Sequence, residues 1–480
     1  MTRVIAGPFN RVEGDLEVAL DIQDGVIARA EVTTTLYRGF EQLLSGRPGL
    51  DALVIAPRIC GICSVSQSIA AATALRNLAG GHAAPNGYIA ANIAHAAENI
   101  ADHLTHFYLF FMPDFARAEY AGRSWFGHAV TRFKAVSGSG SAAFLPRRRR
   151  LLEVMGIIAG KWPHSLAFQP GGTTRAIDVG ERVQLAAILG ELQVFLEETV
   201  FGVSLDEILA MEIPAELSSY AERARGDFPF FLTIAADLGL ESMGRGPGPL
   251  LSFGAYHDAN GSFFERGVAS ADGALAPLDV AAISEDATCA WFAPTSTDPA
   301  LAETLPSAEK ENAYSWAKAP RLSGRPSEVG AAARLAVSGH PLIAALIAEG
   351  GGTSVRTRIV ARLLEAAILV HASQGWCRQL RLKEEFCAHF SLPDDAAAAG
   401  LVEAARGALG HWVGLREGRI SHYQIIAPTT WNFSPRDAAG IAGPLESALA
   451  GLDTGGLGAK SAALQHVIRS FDPCMVCTAH

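Results

Sequence analysis

Cys60-Gly61-Ile62-Cys63 and Cys474-Met475-Val476-Cys477 are two Cys-x-x-Cys pairs at opposite ends of a 480-residue chain. A local zinc clip gathers its four ligands within a few tens of residues, so that one short loop wraps the ion. Here more than four hundred residues separate the pairs. A shared metal is then held where the two ends of a large fold meet, inside it. That placement favours a reactive centre over a structural clip. Four thiolates are soft ligands, suited to zinc, nickel or iron.

Other chemistry-bearing residues stand in order along the chain. Arg11-Val12-Glu13-Gly14 comes first, then Tyr37-Arg38-Gly39-Phe40-Glu41 and Arg58-Ile59-Cys60. Asp102-His103-Leu104-Thr105-His106-Phe107-Tyr108 follows, then Lys318-Ala319-Pro320-Arg321 and Pro428-Thr429-Thr430-Trp431-Asn432. Ser470-Phe471-Asp472-Pro473 leads into the second cysteine pair, and His480 lies three residues beyond it. A zinc staple accounts for the cysteines and leaves Glu13, Glu41, Arg321 and His480 without a role. This order of motifs resembles the large subunit of nickel–iron hydrogenases, from Arg11 to the last residue.

The resemblance implies a nickel held by four thiolates and an iron carrying carbon monoxide and cyanide. By position, Cys60 and Cys474 would bind nickel alone, while Cys63 and Cys477 would bridge to iron. The implied reaction is heterolytic cleavage of H2, which needs a metal to bind it and a base to take its proton. Glu13 is the expected proton carrier, since a carboxylate buried near a metal can have its pKa displaced towards neutrality. Its plainer reading is a buried acid paired with Arg11. Arg321 would lie over the diatomic ligands with Pro320 beside it, oriented by Asp102 and Asp472 through charge-assisted hydrogen bonds. Thr429 would donate to a cyanide nitrogen. Glu41, His480 and the backbone carbonyl of Ile426 would hold a magnesium ion, which takes oxygen ligands and keeps several waters.

Three departures from the family pattern bear on subtype. Gln67 stands where energy-conserving members carry histidine; it loses an imidazole beside a bridging thiolate and keeps a hydrogen-bond donor. Ile62 and Phe110 replace valine and leucine at positions that narrow the family's gas channel, and larger side chains there would impede O2 more than H2. Together they match the regulatory, H2-sensing branch: a cytoplasmic, oxygen-tolerant, low-turnover hydrogenase that controls hydrogenase gene expression through a signalling histidine kinase. Regulatory members also lack the C-terminal tail that catalytic ones lose on maturation, and this chain stops at His480. The alternative is an energy-conserving uptake hydrogenase. A third reading, a redox-silent relative in a quinone-reducing respiratory complex, is opposed by retention of all four cysteines. No further cysteine cluster could hold an iron–sulfur relay, so a small subunit carrying such clusters is the implied heterodimer partner.

These residues need a large scaffold. Hydrophobic residues make up 49% of the chain and charged residues 18%, ample for a buried core. The net charge of −10 argues against a nucleic-acid surface. Seven cysteines, two pairs of them at metal-like spacing, disfavour a disulfide framework and point to a reducing compartment. Cys289, Cys377 and Cys387 read as buried thiols. The N-terminus has no signal-peptide layout, and no run of about eighteen apolar residues predicts a membrane span. Leu16, Val18, Leu20 and Ile22 alternate ahead of Asp24-Gly25, which predicts a β-hairpin within about 15–35. Long helices are expected over Ala90 to Phe111, Val183 to Phe201 and Arg356 to Leu380. Arg147 to Arg150 read as a solvated loop. Without an internal repeat or separable linker, the expectation is one α+β unit over 1–480, mainly helical, with small marginal sheets.

Overall fold

A computed structural model describes residues 2–478 and 480. Thr2–Ala6, Leu16–Gln23 and Val26–Thr34 form an antiparallel sheet in sequential order. Asp24 and Gly25 turn the second strand into the third with φ of 51° and 83°, the left-handed pair that a tight hairpin requires. Leu16, Val18 and Leu20 are fully buried on its inner face, as their alternation predicts. The loop between the first two strands carries Arg11 and Glu13.

The body is helical. Pro85–Thr105 begins on a proline at its first position and runs on into a π-helical turn, His106–Phe111. Val355–Gln379 packs along it, as does Ser139–Ala159. Val179–Phe195 starts on a capping box between Asp178 and Glu181 and also ends in a π turn, Leu196–Phe201. Each expected long helix is present with ends shifted by a few residues. Arg147 to Arg150 lie inside Ser139–Ala159 and not in a loop. Arginine's straight stem suits a helix, and tertiary partners fix two of the four: Arg148 donates to Thr105 and lies over the Trp162 ring, and Arg150 pairs with Glu191.

A second antiparallel sheet, Ala396–Ala404, Gly407–Arg416 and Arg419–Ile426, lies against helix Ser64–Leu78. The approach is tight at Gly400, where a Cβ would come within 2.1 Å of the Ala70 carbonyl oxygen. This sheet, that helix and all four motif cysteines share one hydrophobic cluster with Leu409, Val413, Tyr423 and Ile425. Small sheets set in a helical body make the expected α+β architecture, although the sheet of 396–426 is buried beside the cysteines and not marginal. Lys-Ala-Pro-Arg, a turn by composition, is a strand: Ala319–Leu322 pairs antiparallel with Ile283–Asp286. Cys377 is buried, whereas Cys289 and Cys387 are partly exposed. No single helix among the described residues is long and apolar enough to cross a membrane.

Candidate metal centre

The first cysteine pair sits between a tight turn and a helix. Ala56–Ile59 is a short 3-10 turn, Cys60 is extended, and Cys63 occupies the cap position of Ser64–Leu78. The second pair is one helical turn, in which the Cys477 amide donates to the Cys474 carbonyl at 3.1 Å. Arg38 ties the two together by donating to the carbonyls of Ile59, at 2.6 Å, and Val476. Its neighbours Tyr37 and Glu41 drew attention in the sequence, but its bridging role needs both chain ends in place.

All four sulfurs are buried and none is in a disulfide. Cys60 and Cys474 Sγ lie 3.6 Å apart, Cys63 and Cys477 3.2 Å, and Cys474 and Cys477 3.0 Å. The Cys474 amide donates to Thr429 Oγ1 at 3.1 Å, so the hydroxyl proton of Thr429 stays available to another acceptor. Hydrogen bonding to Cys474, then to the other thiols, and burial hold Cys63 well above the usual thiol range. A bare set of this kind keeps protons that a soft cation would displace. Among the described residues Cys60, Cys474 and Cys477 form a group at metal-ligand spacing, and Cys63 joins it through Cys477; such a set fits a thiolate-bound metal.

Glu13 is held against this set by its backbone. It forms a parallel bridge with Cys474, with its amide 3.4 Å from the Pro473 carbonyl and its own carbonyl accepting from Met475 at 2.7 Å. Burial, then the charge of Cys60, push its carboxyl above the usual range, while Arg406 pulls it down. The plainer reading of Glu13 fails, because Arg11 pairs with Asp114 and donates to the Phe110 carbonyl instead.

The arginine between Asp102 and Asp472 is Arg406, not Arg321. Arg406 Nη1 lies 2.9 Å from Asp102 Oδ2; its Nη2 donates to Asp102 Oδ1 at 3.0 Å and Asp472 Oδ1 at 3.2 Å. Its Nε donates to the Asp472 carbonyl, and Arg362 stands 3.4 Å from the same Asp472. Arg321 bonds Asp437 at 2.7 Å, Ser434 and the carbonyls of Pro320, Pro435 and Ile441; neither Asp102 nor Asp472 is among these partners. Its strand turns it and Pro320 to the 434–441 loop, whereas the turn at Gly407, with φ of 131°, brings Arg406 inward. The sequence signal was an arginine between small residues linking two apolar strands, Ala404-Ala405-Arg406-Gly407. Losing the planar fork of Arg406 removes several charge-assisted bonds, each about 1.5–3 kcal/mol. Arg406→Lys is therefore expected to slow H2/D2 exchange at least tenfold and Arg321→Lys to leave it within about twofold; the reverse order would restore Arg321 to the site.

Glu41 and His480 meet at 3.3 Å, both buried. Against burial, the charge and hydrogen bond of His480 bring Glu41 below its usual range. Lys318 donates to Thr304 at 2.9 Å, and Thr304 to Gln424 at 3.2 Å, beside this pair. The Ile425 amide donates to Glu41 Oε1 at 3.1 Å. Peptide directions alternate along a strand, and Ile426 is paired with Gly410 across the sheet. The carbonyl on the Glu41 side is thus that of Ile425, which moves the expected backbone ligand by one residue. The carboxylate and the carbonyl are hard oxygen donors, and with the borderline imidazole they fit loosely a magnesium ion that keeps several waters.

Gln67 is fully buried four residues past Cys63. Its Oε1 accepts from His411 Nε2 at 2.8 Å, and His411 Nδ1 lies 2.8 Å from the Tyr423 hydroxyl. Its Nε2 has no hydrogen-bond partner among the described residues. Ile62 packs on the cysteine cluster, and Phe110 sits on the π turn, both partly exposed.

A family model described as nickel-dependent hydrogenase matches residues 38–122 and 142–480. The periplasmic [NiFeSe] hydrogenase large subunit of Desulfomicrobium baculatum is 27% identical, over 100% of this chain and 95% of that protein. The hydrogenase-1 large chain of Escherichia coli K12 is 26% identical with the same coverage. Among solved structures, the D. baculatum [NiFeSe]-hydrogenase aligns at a TM-score of 0.87 and 27% identity, and that of D. vulgaris Hildenborough at 0.85 and 28%, both over 100% of each chain.

Proposed function

We infer the function of this chain from one premise: it belongs to the nickel-dependent hydrogenase family, and its site is built to cleave H2. The observation that carries the reading is the set of four free, buried sulfurs from opposite chain ends, with the Glu13 backbone hydrogen-bonded to the second pair. Cys60, Cys63, Cys474 and Cys477 would hold a nickel–iron pair. When bound, that group supplies the redox-active Lewis acid that makes H2 acidic enough for a base to deprotonate. Glu13, half-buried and within reach of the Cys60 charge, would hold or release the proton at its carboxylate. Arg406, pinned on two carboxylates, keeps a fixed positive edge beside the sulfurs, and burial of the cysteines keeps water away. Glu41, His480 and Ile425 would hold the magnesium behind Cys477.

Electrons need a second protein. Among the described residues the one group of metal-spaced cysteines is the site itself, and the named relatives are large subunits and large chains. A partner small subunit carrying iron–sulfur clusters follows. Matured protein should contain about one nickel and one iron per chain and exchange H2 with D2O. Stoichiometric zinc, with no nickel and no infrared bands from metal-bound carbon monoxide or cyanide, would overturn the reading.

The relatives support an uptake role, in which H2 oxidation feeds an electron-transfer chain. Gln67, Ile62 and Phe110 favour a second reading, a slow and oxygen-tolerant sensor; it carries with it a cytoplasmic location and a histidine kinase as receiver. The two part on gas access. Ile62→Val with Phe110→Leu removes about one methylene and an aromatic ring. A sensor should turn over slowly in air, and the double variant should become O2-sensitive. Rapid inactivation of the unmodified protein by O2 would leave the uptake reading.

A further inference from the structure

Glu98 is a buried acid that the proposed mechanism does not use. It lies on helix Pro85–Thr105, one turn before Asp102 and on the same face, and is 2% exposed. Four donors converge on it. Val65 N–H donates to Oε2 at 2.8 Å and Ser66 N–H to Oε1 at 2.9 Å. Ser66 Oγ donates to Oε1 at 2.9 Å, and Trp162 Nε1 to Oε2 at 3.0 Å. No lysine, arginine or histidine is paired with it among the described residues.

This bonding pattern specifies a charge state. An ionised carboxylate accepts only, two bonds at each oxygen; a protonated one would turn a donor against a donor and lose a bond. Burial pushes the group up to about 7 against all four bonds. The compensation comes from position, because Val65 and Ser66 open the helix that starts directly after Cys63. Their amides are otherwise without intrahelical acceptors and carry the positive end of the helix dipole. Cys63 occupies the cap position and its side chain makes no capping bond. Glu98 supplies from a neighbouring helix the cap that Cys63 cannot.

One helix thus braces two parts of the site, the Cys63 turn through Glu98 and the guanidinium of Arg406 through Asp102. A loop completes the clamp. Trp162 donates to Glu98, the His164 amide to Ser64 Oγ at 3.4 Å, and His164 Nδ1 meets the Pro57 carbonyl at 2.8 Å. We propose that Glu98 is a positioning residue for the thiolate centre: a carboxylate that caps the helix bearing Cys63 and fixes where that sulfur sits. The proposal rests on reading the four sulfurs as the metal centre.

The test is Glu98→Gln in the matured heterodimer and in the metal-free large subunit. Glutamine keeps the shape, but its amide nitrogen faces donors, so half the cap is lost. In metal-free protein Cys63 should react with a thiol reagent at least tenfold faster than in the parent, with Cys474 unchanged. In loaded protein at mildly alkaline pH, where Glu98 is ionised, the carbon monoxide and cyanide bands should move to higher frequency, as a nearby negative charge is lost. H2/D2 exchange should fall by about tenfold or more, given that a misplacement near 1 Å costs about a hundredfold. Trp162→Phe removes one donor of four and should shift each readout in the same direction and less. A folded Glu98→Gln protein with parental thiol reactivity and infrared bands would overturn the proposal. If the variant fails to fold, Trp162→Phe decides it, and parental values there overturn it equally. Absence of diatomic bands from the parent itself would instead sink the metal-centre reading, leaving the thiol result to judge Glu98.

Discussion

Serine at any one of Cys60, Cys63, Cys474 or Cys477 is expected to abolish H2/D2 exchange and the nickel content together. The size of the effect follows from ligand chemistry. A serine hydroxyl stays protonated at neutral pH and is a hard donor where a soft one is needed. The geometry allows no substitute: Cys60 and Cys474 lie 3.6 Å apart, Cys63 and Cys477 3.2 Å, Cys474 and Cys477 3.0 Å, and Cys289, Cys377 and Cys387 lie outside the metal-spaced group found among the described residues. Folding should survive, because serine is smaller than cysteine and so fits its place, and the surrounding apolar cluster is intact. The measurements are elemental analysis, exchange and a thermal melt on the same preparation. A Cys→Ser variant that keeps one nickel per chain and exchanges H2 would remove that sulfur from the centre.

The sequence displayed the parts whose signal is local. The hairpin was visible because Leu16, Val18 and Leu20 alternate and Asp24-Gly25 has a single common use. The cysteines were visible because two-residue spacing puts both sulfurs of a pair on one side of a turn. Pairings across the chain were less visible. Arg321 and Arg406 are both arginines in apolar stretches at or beside a strand, and only the sheet that carries each decides which carboxylates it meets. The strand at Ala319–Leu322 sends Arg321 to Asp437; the turn at Gly407 sends Arg406 to Asp102, 304 positions away. Ile425 and Ile426 differ by strand parity, which a one-residue error in register inverts. Glu98 was missed for another reason: an acid amid alanines on a helix reads as a solvent-facing residue, until the amides of Val65 and Ser66 are set against it.

Glu13→Gln is expected to lower H2/D2 exchange by about 10² to 10⁴, the usual worth of a positioned general base, while nickel content and infrared bands stay parental. The backbone of Glu13 explains the second half of that expectation. Its bonds to Pro473 and Met475 use the peptide, not the carboxylate, so the amide variant keeps the bridge to Cys474. Gly14 supports the same contact: with φ of 80° it passes so near Met475 that a Cβ would stand 3.1 Å from that side chain. The carboxylate is left free for chemistry, since its pKa is raised by burial and by Cys60 and lowered only by Arg406. Glutamine reproduces its volume and can still hydrogen-bond, but it neither takes up nor gives back a proton near neutral pH. Glu13→Asp should fall between the two, since it keeps the acid on a stem one carbon shorter. Exchange at the parental rate in Glu13→Gln would take Glu13 out of the proton path and move the search to the thiolates themselves.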